Sequence, residues 1–440
     1  MRGHAEQEGV SSYIVVRRTT RGWIYRAFVL LVAFCLSGCA VIGLPTVRGC
    51  LQKSSAPSEL NVQGTARLIA IGDFGINHQD RNKIVAAALR SYLANAPEVP
   101  TTVVLLGDNF YPKGLAGTEG RCDALDDAPH RIARQLDAVL EPYAFLRDRR
   151  IPVKAVAGNH DHGCGSWGLE NQKNIDRFLP SERHWGDLWD FHYGLPRAVP
   201  LPGGELQLVL LDSEAMLQDF QMLESSLRRM EEILEAGSVS GLWQVVVAHH
   251  PLRTLGTHDG AFPDGLRKPL SFVLFPVHFL AAARVWPFSD LSQEAYSFRY
   301  QRYRRELERA FGRHRGMAAI FLAGHDHSLQ VFEPGNAGMP LEVVVGSGAY
   351  CSPVREDKTA TFSAAKHGFA AITFARDKLE VELYGTTACA DEQICAVGTG
   401  TPVLLYKHML LRSGADVGAQ HHQNAHTGFK QGFEAERRPG

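Results

Sequence analysis

Five short motifs contain the side chains of this 440-residue sequence that could bind metal ions. They are GDFG at 72–75, GDNFY at 107–111, GNHDH at 158–162, AHHP at 248–251 and GHDH at 324–327. Carboxylate, phenol, amide and imidazole groups are ligands that suit iron, manganese and zinc. One Gly-Asp pair is often only a turn, and one histidine is often only a buried hydrogen-bonding group. Five such motifs in one chain are much harder to explain in that way, so together they predict a metal site.

An apolar run of the length of a buried β-strand precedes each motif. These runs cover residues 66–71, 102–106, 153–157, 243–248 and 318–322. Open α/β sheets bind their ligands beyond the carboxyl ends of the strands. We therefore expect the five motifs to lie together at the strand ends of an α/β protein.

Helical periodicity at 81–93 and 132–146 alternates with the first strands, as in α/β proteins. Toward the C-terminus the pattern changes to strands at 341–345, 368–374 and 379–384 without helices between them. This change predicts an antiparallel portion of a second sheet.

The motifs GDFG, GDNFY, GNHDH, AHHP and GHDHSLQ together resemble those of the calcineurin-like metallophosphoesterases, and within them the purple acid phosphatases of the small tartrate-resistant type. The resemblance runs from about Arg67 to Gly348. Tyr111, three residues after Asp108, separates the purple acid branch from relatives without a tyrosine ligand. Gly75 stands where those relatives commonly carry a histidine ligand. His250 departs from the family pattern, which often has tyrosine there, and this leaves its role open.

The resemblance implies a four-layer α/β/β/α sandwich of two mixed sheets flanked by helices, with the metal site at the C-terminal strand ends. It also implies two metal ions, Fe(III) and a divalent Fe, Zn or Mn ion. The first ion is expected on Asp73, Tyr111 and His327; the second on Asn159, His249 and His325; and Asp108 is expected to bridge them.

Two metal ions about 3.5 to 4 Å apart can activate a bound hydroxide and neutralise phosphoryl oxygens during in-line attack. The leaving oxygen still needs a proton. His160 adjoins the ligand Asn159, and His258 follows His249 by nine residues, the spacing of a histidine near the leaving group in small purple acid phosphatases. His258 could also be an ordinary loop residue, and His162 is expected to be structural or to support a ligand.

The resemblance implies a phosphomonoesterase that acts on a small phosphorylated substrate. A phosphodiesterase or pyrophosphatase acting on nucleotides or lipid headgroups would use the same site. A cell-surface binding or adhesion protein with a vestigial site is the third alternative, against which the complete ligand set argues. The formal net charge of -1 offers no basic face for nucleic acid, and we expect a monomer.

The N-terminus has the order of an export signal, because Arg17, Arg18, Arg21 and Arg26 precede the apolar run 27–36. The sequence Leu-Ser-Gly-Cys at 36–39 resembles the lipobox of bacterial lipoproteins. We therefore expect a signal peptide at 1–38, lipid attachment at Cys39 and a membrane-anchored protein of the cell envelope. The alternative is an uncleaved signal anchor at 27–44.

Six cysteines remain after Cys39, and an even number in an exported protein permits disulfides. They are Cys50, Cys122, Cys164, Cys351, Cys389 and Cys395. Cys389 and Cys395 are close enough in sequence to close one loop, and Cys164 lies beside a metal motif. Buried free thiols are the alternative, whereas the lack of any CxxC pair argues against metal binding by cysteine.

Composition divides the rest of the chain. Residues 39–65 read as a tether, residues 66–412 as the catalytic domain and the polar residues 413–440 as a disordered tail. An insertion at about 259–316 contains an apolar stretch at 270–280 and a charged helical run at 300–311. We expect it to form a lid or substrate wall, with simple packing as the alternative.

Overall fold

In the computed structural model, the motif-bearing strands are divided between two mixed β-sheets. The structure describes residues 50–52, 64–75, 81–115, 122, 128–259, 297–335, 338–355, 357–388 and 395–412. All of these belong to one compact unit, Val47–Gly440. The predicted signal peptide 1–38, Cys39, residues 260–296 of the predicted insertion and the tail 413–440 lie outside the described residues.

The strands of the described residues are numbered in chain order. They are β1 (Cys50–Gln52), β2 (Ala66–Ile71), β3 (Thr101–Leu105), β4 (Val153–Val156), β5 (Trp189–His192), β6 (Arg197–Pro200), β7 (Leu206–Leu210), β8 (Trp243–Val247), β9 (Ile320–Ala323), β10 (Leu329–Phe332), β11 (Leu341–Val345), β12 (Phe362–Ala364), β13 (Gly368–Phe374), β14 (Lys378–Gly385) and β15 (Val403–Leu411). All five strands predicted before the motifs are present, as β2, β3, β4, β8 and β9.

One sheet has the order β15-β14-β13-β2-β3-β4-β5, and its strands β2 to β5 are parallel. The other has the order β1-β12-β10-β11-β9-β8-β7-β6, and β7, β8, β9 and β11 are parallel. The sequence predicted that the C-terminal strands form an antiparallel portion of a second sheet. The structure instead divides them between the two sheets. Strand β11 pairs parallel with β9, whereas β13 pairs antiparallel with β2 and β14 pairs antiparallel with β13 in the first sheet. The order of strands along the chain does not determine which strands pair, because the chain crosses from one sheet to the other after β12.

Helices cover the outer faces of both sheets. They are α1 (Arg81–Asn95), α2 (Ala128–Leu140), α3 (Ala144–Asp148), α4 (Gly165–Lys173), α5 (Ser213–Gln218), α6 (Phe220–Val239) and α7 (Phe298–Arg313). The helix predicted at 132–146 is interrupted by a 3-10 turn, Glu141–Tyr143. Pro142 lies in that turn, and proline has no backbone N–H with which to continue an α-helix.

Alternating side chains divide the core into layers. On β2, Leu68 and Ala70 pack into a cluster that contains residues of both sheets, whereas Ile69 and Ile71 pack into a cluster with α1 and α2. A third cluster joins the other sheet to α6 and α7. This period of two is that of a strand buried on both faces. The predicted four-layer α/β/β/α sandwich is confirmed.

Helix α7 belongs to this core, which corrects the predicted insertion at 259–316. Its Tyr300 and Tyr303 are buried, and their hydroxyls donate hydrogen bonds to the carbonyl oxygens of Pro251 (2.8 Å) and His250 (3.0 Å). The charged sequence forms an amphipathic helix, and the apolar side of this helix packs into the core. The lid hypothesis therefore applies only to residues 260–296, which lie outside the described residues.

The predicted tether also needs correction. Residues 50–52, inside the range 39–65, form the edge strand β1, which pairs antiparallel with β12. The chain therefore joins the sheet before residue 66. None of the helices in the described part of the chain is long and apolar enough to span a bilayer.

Two disulfides join distant parts of the described chain, Cys122 to Cys164 and Cys351 to Cys395. Cys395 therefore does not pair with its sequence neighbour Cys389, which lies outside the described residues. The first disulfide adjoins the GNHDH motif through Cys164. The second joins two loops that are 44 residues apart in sequence.

Candidate metal centre

Three of the predicted ligands lie in sharp backbone turns at the strand ends. Asp73, Asp108 and His325 have φ values of 55°, 53° and 66°, in the left-handed region that residues other than glycine seldom adopt. Such conformations cost about 1–3 kcal/mol and concentrate at functional sites. The chain thus accepts local strain at three of its seven predicted metal ligands.

The first group of donor atoms matches the predicted Fe(III) ligands. The Tyr111 hydroxyl lies 3.1 Å from Asp73 Oδ1, 2.9 Å from Asp108 Oδ2 and 3.5 Å from His327 Nε2. His327 Nε2 is also 3.5 Å from Asp73 Oδ1. These four donors converge on one point.

The second group matches the predicted ligands of the divalent ion. His249 Nε2 lies 3.0 Å from Asn159 Oδ1, 3.3 Å from His325 Nδ1 and 3.5 Å from Asp108 Oδ1. His325 Nδ1 is 3.2 Å from Asn159 Oδ1. Asp108 therefore turns one carboxylate oxygen toward each group, as a bridging ligand does.

The spacing of these donors fits metal ions. Ligands about 2.1 Å from a metal ion stand about 3.0–3.4 Å apart at the corners of an octahedron or tetrahedron. A second candidate cluster contains His249, His250 and His325. We exclude His250 as a ligand because its Nδ1 is already bonded to Ser213 Oγ at 2.8 Å and its Nε2 faces Glu214 at 3.7 Å.

The acid groups of the site also fit a cation. Burial raises the pKa of Asp73 to about 8, and Asp108 adds to this rise although His249 opposes it. Burial, Asp108 and Asp73 together raise the pKa of the Tyr111 phenol well above 10. Burial opposes ionisation of Asp108, but His249 and His160 outweigh it and lower the pKa of Asp108. Buried acid groups packed so closely need positive charge to ionise together, and metal ions would supply it.

The imidazole ligands are held in the form that binds metals. Burial lowers the pKa of His327 to about 4, and burial with the neighbouring histidines lowers the pKa of His325 well below its usual value. Both rings are therefore neutral at pH 7. His249 Nδ1 lies 2.8 Å from the carbonyl oxygen of Leu106, and a proton donated there leaves the Nε2 lone pair free for a metal ion.

Two residues that the sequence analysis did not single out hold the ligand loops in place. The buried Asp161 accepts hydrogen bonds from the backbone N–H groups of Asn109, Phe110 and Gly158, which joins the GDNFY and GNHDH loops. Ser213 Oγ accepts the N–H of His249 at 3.1 Å. Asp161 lies inside a motif and could have been found there, whereas no sequence signal indicates Ser213.

Tyr350 was also missed. Its ring stacks on His327 at 5.0 Å between centroids and meets the edge of Tyr111 at 5.1 Å. The backbone on either side of Tyr350 is bonded to both ligand loops, since Ala349 N donates to Asp73 O and Ser352 N to His327 O. The sequence offers only one signal for Tyr350, its position beside Cys351, because this segment contains no metal motif.

Both predicted proton donors lie beside the ligands. His160 Nδ1 is 2.6 Å from the carbonyl oxygen of Pro112, its Nε2 is 3.9 Å from Asp108 Oδ2, and 36% of its side chain is exposed. The ring of His258 lies 4.3 Å from that of His325 and 5.8 Å from that of His327. His162 instead points to Asp212, with Nε2 at 2.9 Å from Oδ1.

The calcineurin-like phosphoesterase family model matches residues 66–329, which contain all five motifs. No curated protein is significantly similar in sequence. Solved structures with a similar fold include GAP50, the anchor in the inner membrane complex of Plasmodium (14% identity, 80% of this chain and 90% of that chain, TM-score 0.48). They also include a dimetal phosphatase from Danio rerio (13% identity, 73% and 96%, TM-score 0.40). PhoD is a third (10% identity, 79% and 69%, TM-score 0.44). Similarity at this level supports no inference about function.

Proposed function

This chain belongs to the calcineurin-like phosphoesterases, metal-dependent hydrolases of phosphoric esters, and on that premise we propose that it is an exported phosphomonoesterase of the purple acid phosphatase type. Its two metal ions would be Fe(III) and a divalent Fe, Zn or Mn ion. Its substrate would be a small phosphorylated molecule.

The observation that carries the proposal is the division of the donor atoms into two groups that share Asp108. Asp108 Oδ2 lies 2.9 Å from the Tyr111 hydroxyl, and Oδ1 lies 3.5 Å from His249 Nε2. A single-metal site would not need both groups. The complete ligand set argues against a vestigial site.

Tyr111 supports the iron assignment. Its hydroxyl belongs to the donor group with Asp73 and His327, and a phenolate with carboxylates suits a hard trivalent ion. Gly75 stands at the position of the histidine ligand in relatives without the tyrosine. A Cβ at residue 75 would lie 2.3 Å from the backbone of Asn109, so a larger side chain would displace the GDNFY loop.

When bound, the two ions would bring together water and phosphate, lower the pKa of the water and offset charge on the phosphoryl oxygens. The chain's own residues orient this chemistry. Pro112 O fixes His160 through Nδ1, so that Nε2 is the atom able to hold a proton near the leaving oxygen. His258, whose ring lies against His325, would serve the same oxygen from the loop after His249.

Metal analysis with an absorption spectrum tests the metal assignment. Purified protein should contain two metal ions per chain and show a visible tyrosinate-to-Fe(III) band. Tyr111→Phe should remove the band, while Tyr193→Phe, which changes a phenol outside the donor groups, should keep it. Colourless active protein with only zinc or manganese would refute the iron assignment.

A substrate panel tests the reaction. We expect turnover of aryl and alkyl phosphate monoesters to exceed that of a bis-aryl phosphate diester. The opposite preference would favour the phosphodiesterase alternative. Cleavage of none of these esters by metal-loaded protein would contradict the proposal.

A further inference from the structure

The loop from Pro251 to His258 connects the ligand His249 with the predicted proton donor His258. Four of its backbone N–H groups, those of Leu252, Arg253, Leu255 and Gly256, donate hydrogen bonds to side-chain oxygens. The residues after Arg253 lead to the 3-10 turn Thr257–Asp259, which contains His258.

Glu342 on β11 holds the first part of the loop. It is fully buried, and its Oε1 accepts the N–H of Leu252 at 2.6 Å and that of Arg253 at 2.9 Å. Its Oε2 accepts from Arg253 Nε at 2.8 Å. Removal of Glu342 would leave the charge of Arg253 and two amides without this acceptor, so we regard it as part of the fold.

Gln330 and Thr254 hold the second part, which leads to His258. The fully buried Gln330 accepts the N–H of Leu255 at 2.8 Å and donates to Thr254 Oγ1 at 3.0 Å. Thr254 Oγ1 accepts the N–H of Gly256 at 3.2 Å and donates to Asp326 Oδ2. The Thr254 hydroxyl is therefore the joint between the loop and the segment that carries the ligands.

Asp326 lies between the ligands His325 and His327 in sequence. A Cβ added to Gly256 would stand 1.8 Å from Asp326 Oδ1, so the loop rests directly on this carboxylate. Two residues later, the ring of His258 lies 4.3 Å from that of His325. A short path therefore joins the ligand segment to His258. It consists of the buried hydrogen bond from Thr254 to Asp326 and the backbone from residue 254 to residue 258.

We infer that Thr254 and Gln330 are positioning residues that act through the backbone of residues 254–256 to hold His258 beside the metal site. This inference rests on the proposed function, in which His258 delivers a proton to the leaving oxygen. Buried polar groups need partners in any fold. Here none of the hydrogen bonds of Thr254 and Gln330 is made to a metal ligand, so their loss should act on the loop that carries His258.

Thr254→Val tests the inference, because it removes the hydroxyl and keeps nearly the same volume. A misplaced proton donor matters most for a poor leaving group. We expect kcat for an alkyl phosphate to fall about 10-fold, within the range that small displacements cause, and kcat for 4-nitrophenyl phosphate to fall less than about 3-fold. Thr254→Ser, which keeps the hydroxyl, should restore the alkyl phosphate rate. Equal losses on both substrates would overturn the inference.

A double-mutant cycle with His258→Ala separates positioning from a general loss of stability. If Thr254 acts through His258, then Thr254→Val should add less than about 2-fold to the loss caused by His258→Ala. An additional loss as large as that of Thr254→Val alone would overturn the inference. Gln330→Met provides the same test by a second route should the valine variant fold poorly.

Amide hydrogen exchange gives a readout that does not depend on turnover. Exchange of a peptide covering 252–258 should become faster in Thr254→Val and remain at the wild-type rate in Thr254→Ser. Unchanged exchange in the valine variant would overturn the inference. If wild-type protein hydrolyses neither ester, the proposed function fails, and exchange still decides whether Thr254 holds the loop.

Discussion

Asp108 is the residue on which both donor groups depend. Its side chain is almost fully buried, and each carboxylate oxygen faces a different group. Its backbone is in the left-handed region, and the N–H of His160 donates to Oδ1 at 2.9 Å. The backbone turn and the hydrogen bond from His160 fix the orientation of the carboxylate. One side chain can therefore serve two metal ions.

We predict that Asp108→Ala loses both metal ions, because the variant lacks the shared ligand of both. Turnover should fall at least about 1,000-fold, since metal-assisted attack is the main source of rate. Metal content after gel filtration and kcat for a phosphate monoester are the measurements. Two ions retained per chain would contradict the bridging role.

His160→Ala is the matched variant, since it keeps the backbone N–H that orients Asp108. It should retain both ions and lose about 100-fold in kcat, the scale of general acid catalysis. Loss of metal in this variant, or unchanged kcat, would count against a role in proton transfer.

At the scale of elements, the loops of the two sheets are joined by side chains as well as by ligands. His162, from the loop after β4, bonds to Asp212, which precedes α5 on the other sheet. Asp212 also accepts the N–H of Ala215 at the start of that helix, as a helix cap does. The pair therefore connects one half of the site to the other.

This pair should stabilise the protein in a pH-dependent way. Burial tends to lower the pKa of His162, but the hydrogen bond and charge of Asp212, with Glu214 and Asp161, raise it above 6.5. A raised folded pKa means that the stabilisation is complete below pH 6.5, with Asp212 ionised, and is lost as pH rises through the folded pKa of His162.

We predict that His162→Gln lowers the free energy of unfolding by about 1.5 kcal/mol at pH 6, the lower range for a hydrogen bond to a charged group. The difference from wild type should shrink by pH 9. Thermal unfolding of chelator-treated protein across this pH range is the measurement, and His130→Gln on an exposed position of α2 is the control. A difference that does not change with pH would refute the charged pair.

At the scale of the whole molecule, each donor group takes ligands from both sheets. Asp73, Asp108, Tyr111 and Asn159 follow strands of the seven-stranded sheet, whereas His249, His325 and His327 follow strands of the eight-stranded sheet. Metal ions bound here would therefore link the two sheets. Metal binding and sheet packing should stabilise each other.

Removal of metal should consequently lower the unfolding temperature. At a metal concentration 1,000 times Kd, one ion stabilises the native state by about 4 kcal/mol. We expect chelation to lower the midpoint by several degrees, and addition of metal to restore it. Calorimetry of Asp108→Ala provides the control, because the midpoint of this variant should not respond to metal.

The location of the protein is a separate prediction at this scale. We propose that the chain is cleaved before Cys39 and anchored by lipid on that cysteine. Cys39→Ser should then leave the precursor uncleaved and unlipidated, whereas Cys35→Ser should be processed normally. Intact mass and membrane fractionation are the measurements, and cleavage of the Cys39→Ser protein at the same site would contradict a lipoprotein signal.

The sequence by itself determined the ligand types and the strands that carry them. Apolar runs of strand length and the polar residues after them are local features, so β2, β3, β4, β8 and β9 were predictable. The same local features predicted polar side chains at the strand ends, and the family resemblance assigned seven of them to the two metal ions. Local composition also indicated α1 and α7, because amphipathic periodicity is visible within one element.

Only the tertiary structure decided how these elements meet. The sequence could not show that β11 pairs with β9 while β13 pairs with β2, or that Cys395 bonds to Cys351, because strand order and disulfide pairing depend on contacts between distant segments. Ser213 and Thr254 were missed for the same physical reason. Their roles consist of hydrogen bonds to loops of neighbouring strands, which approach them only when the eight-stranded sheet forms.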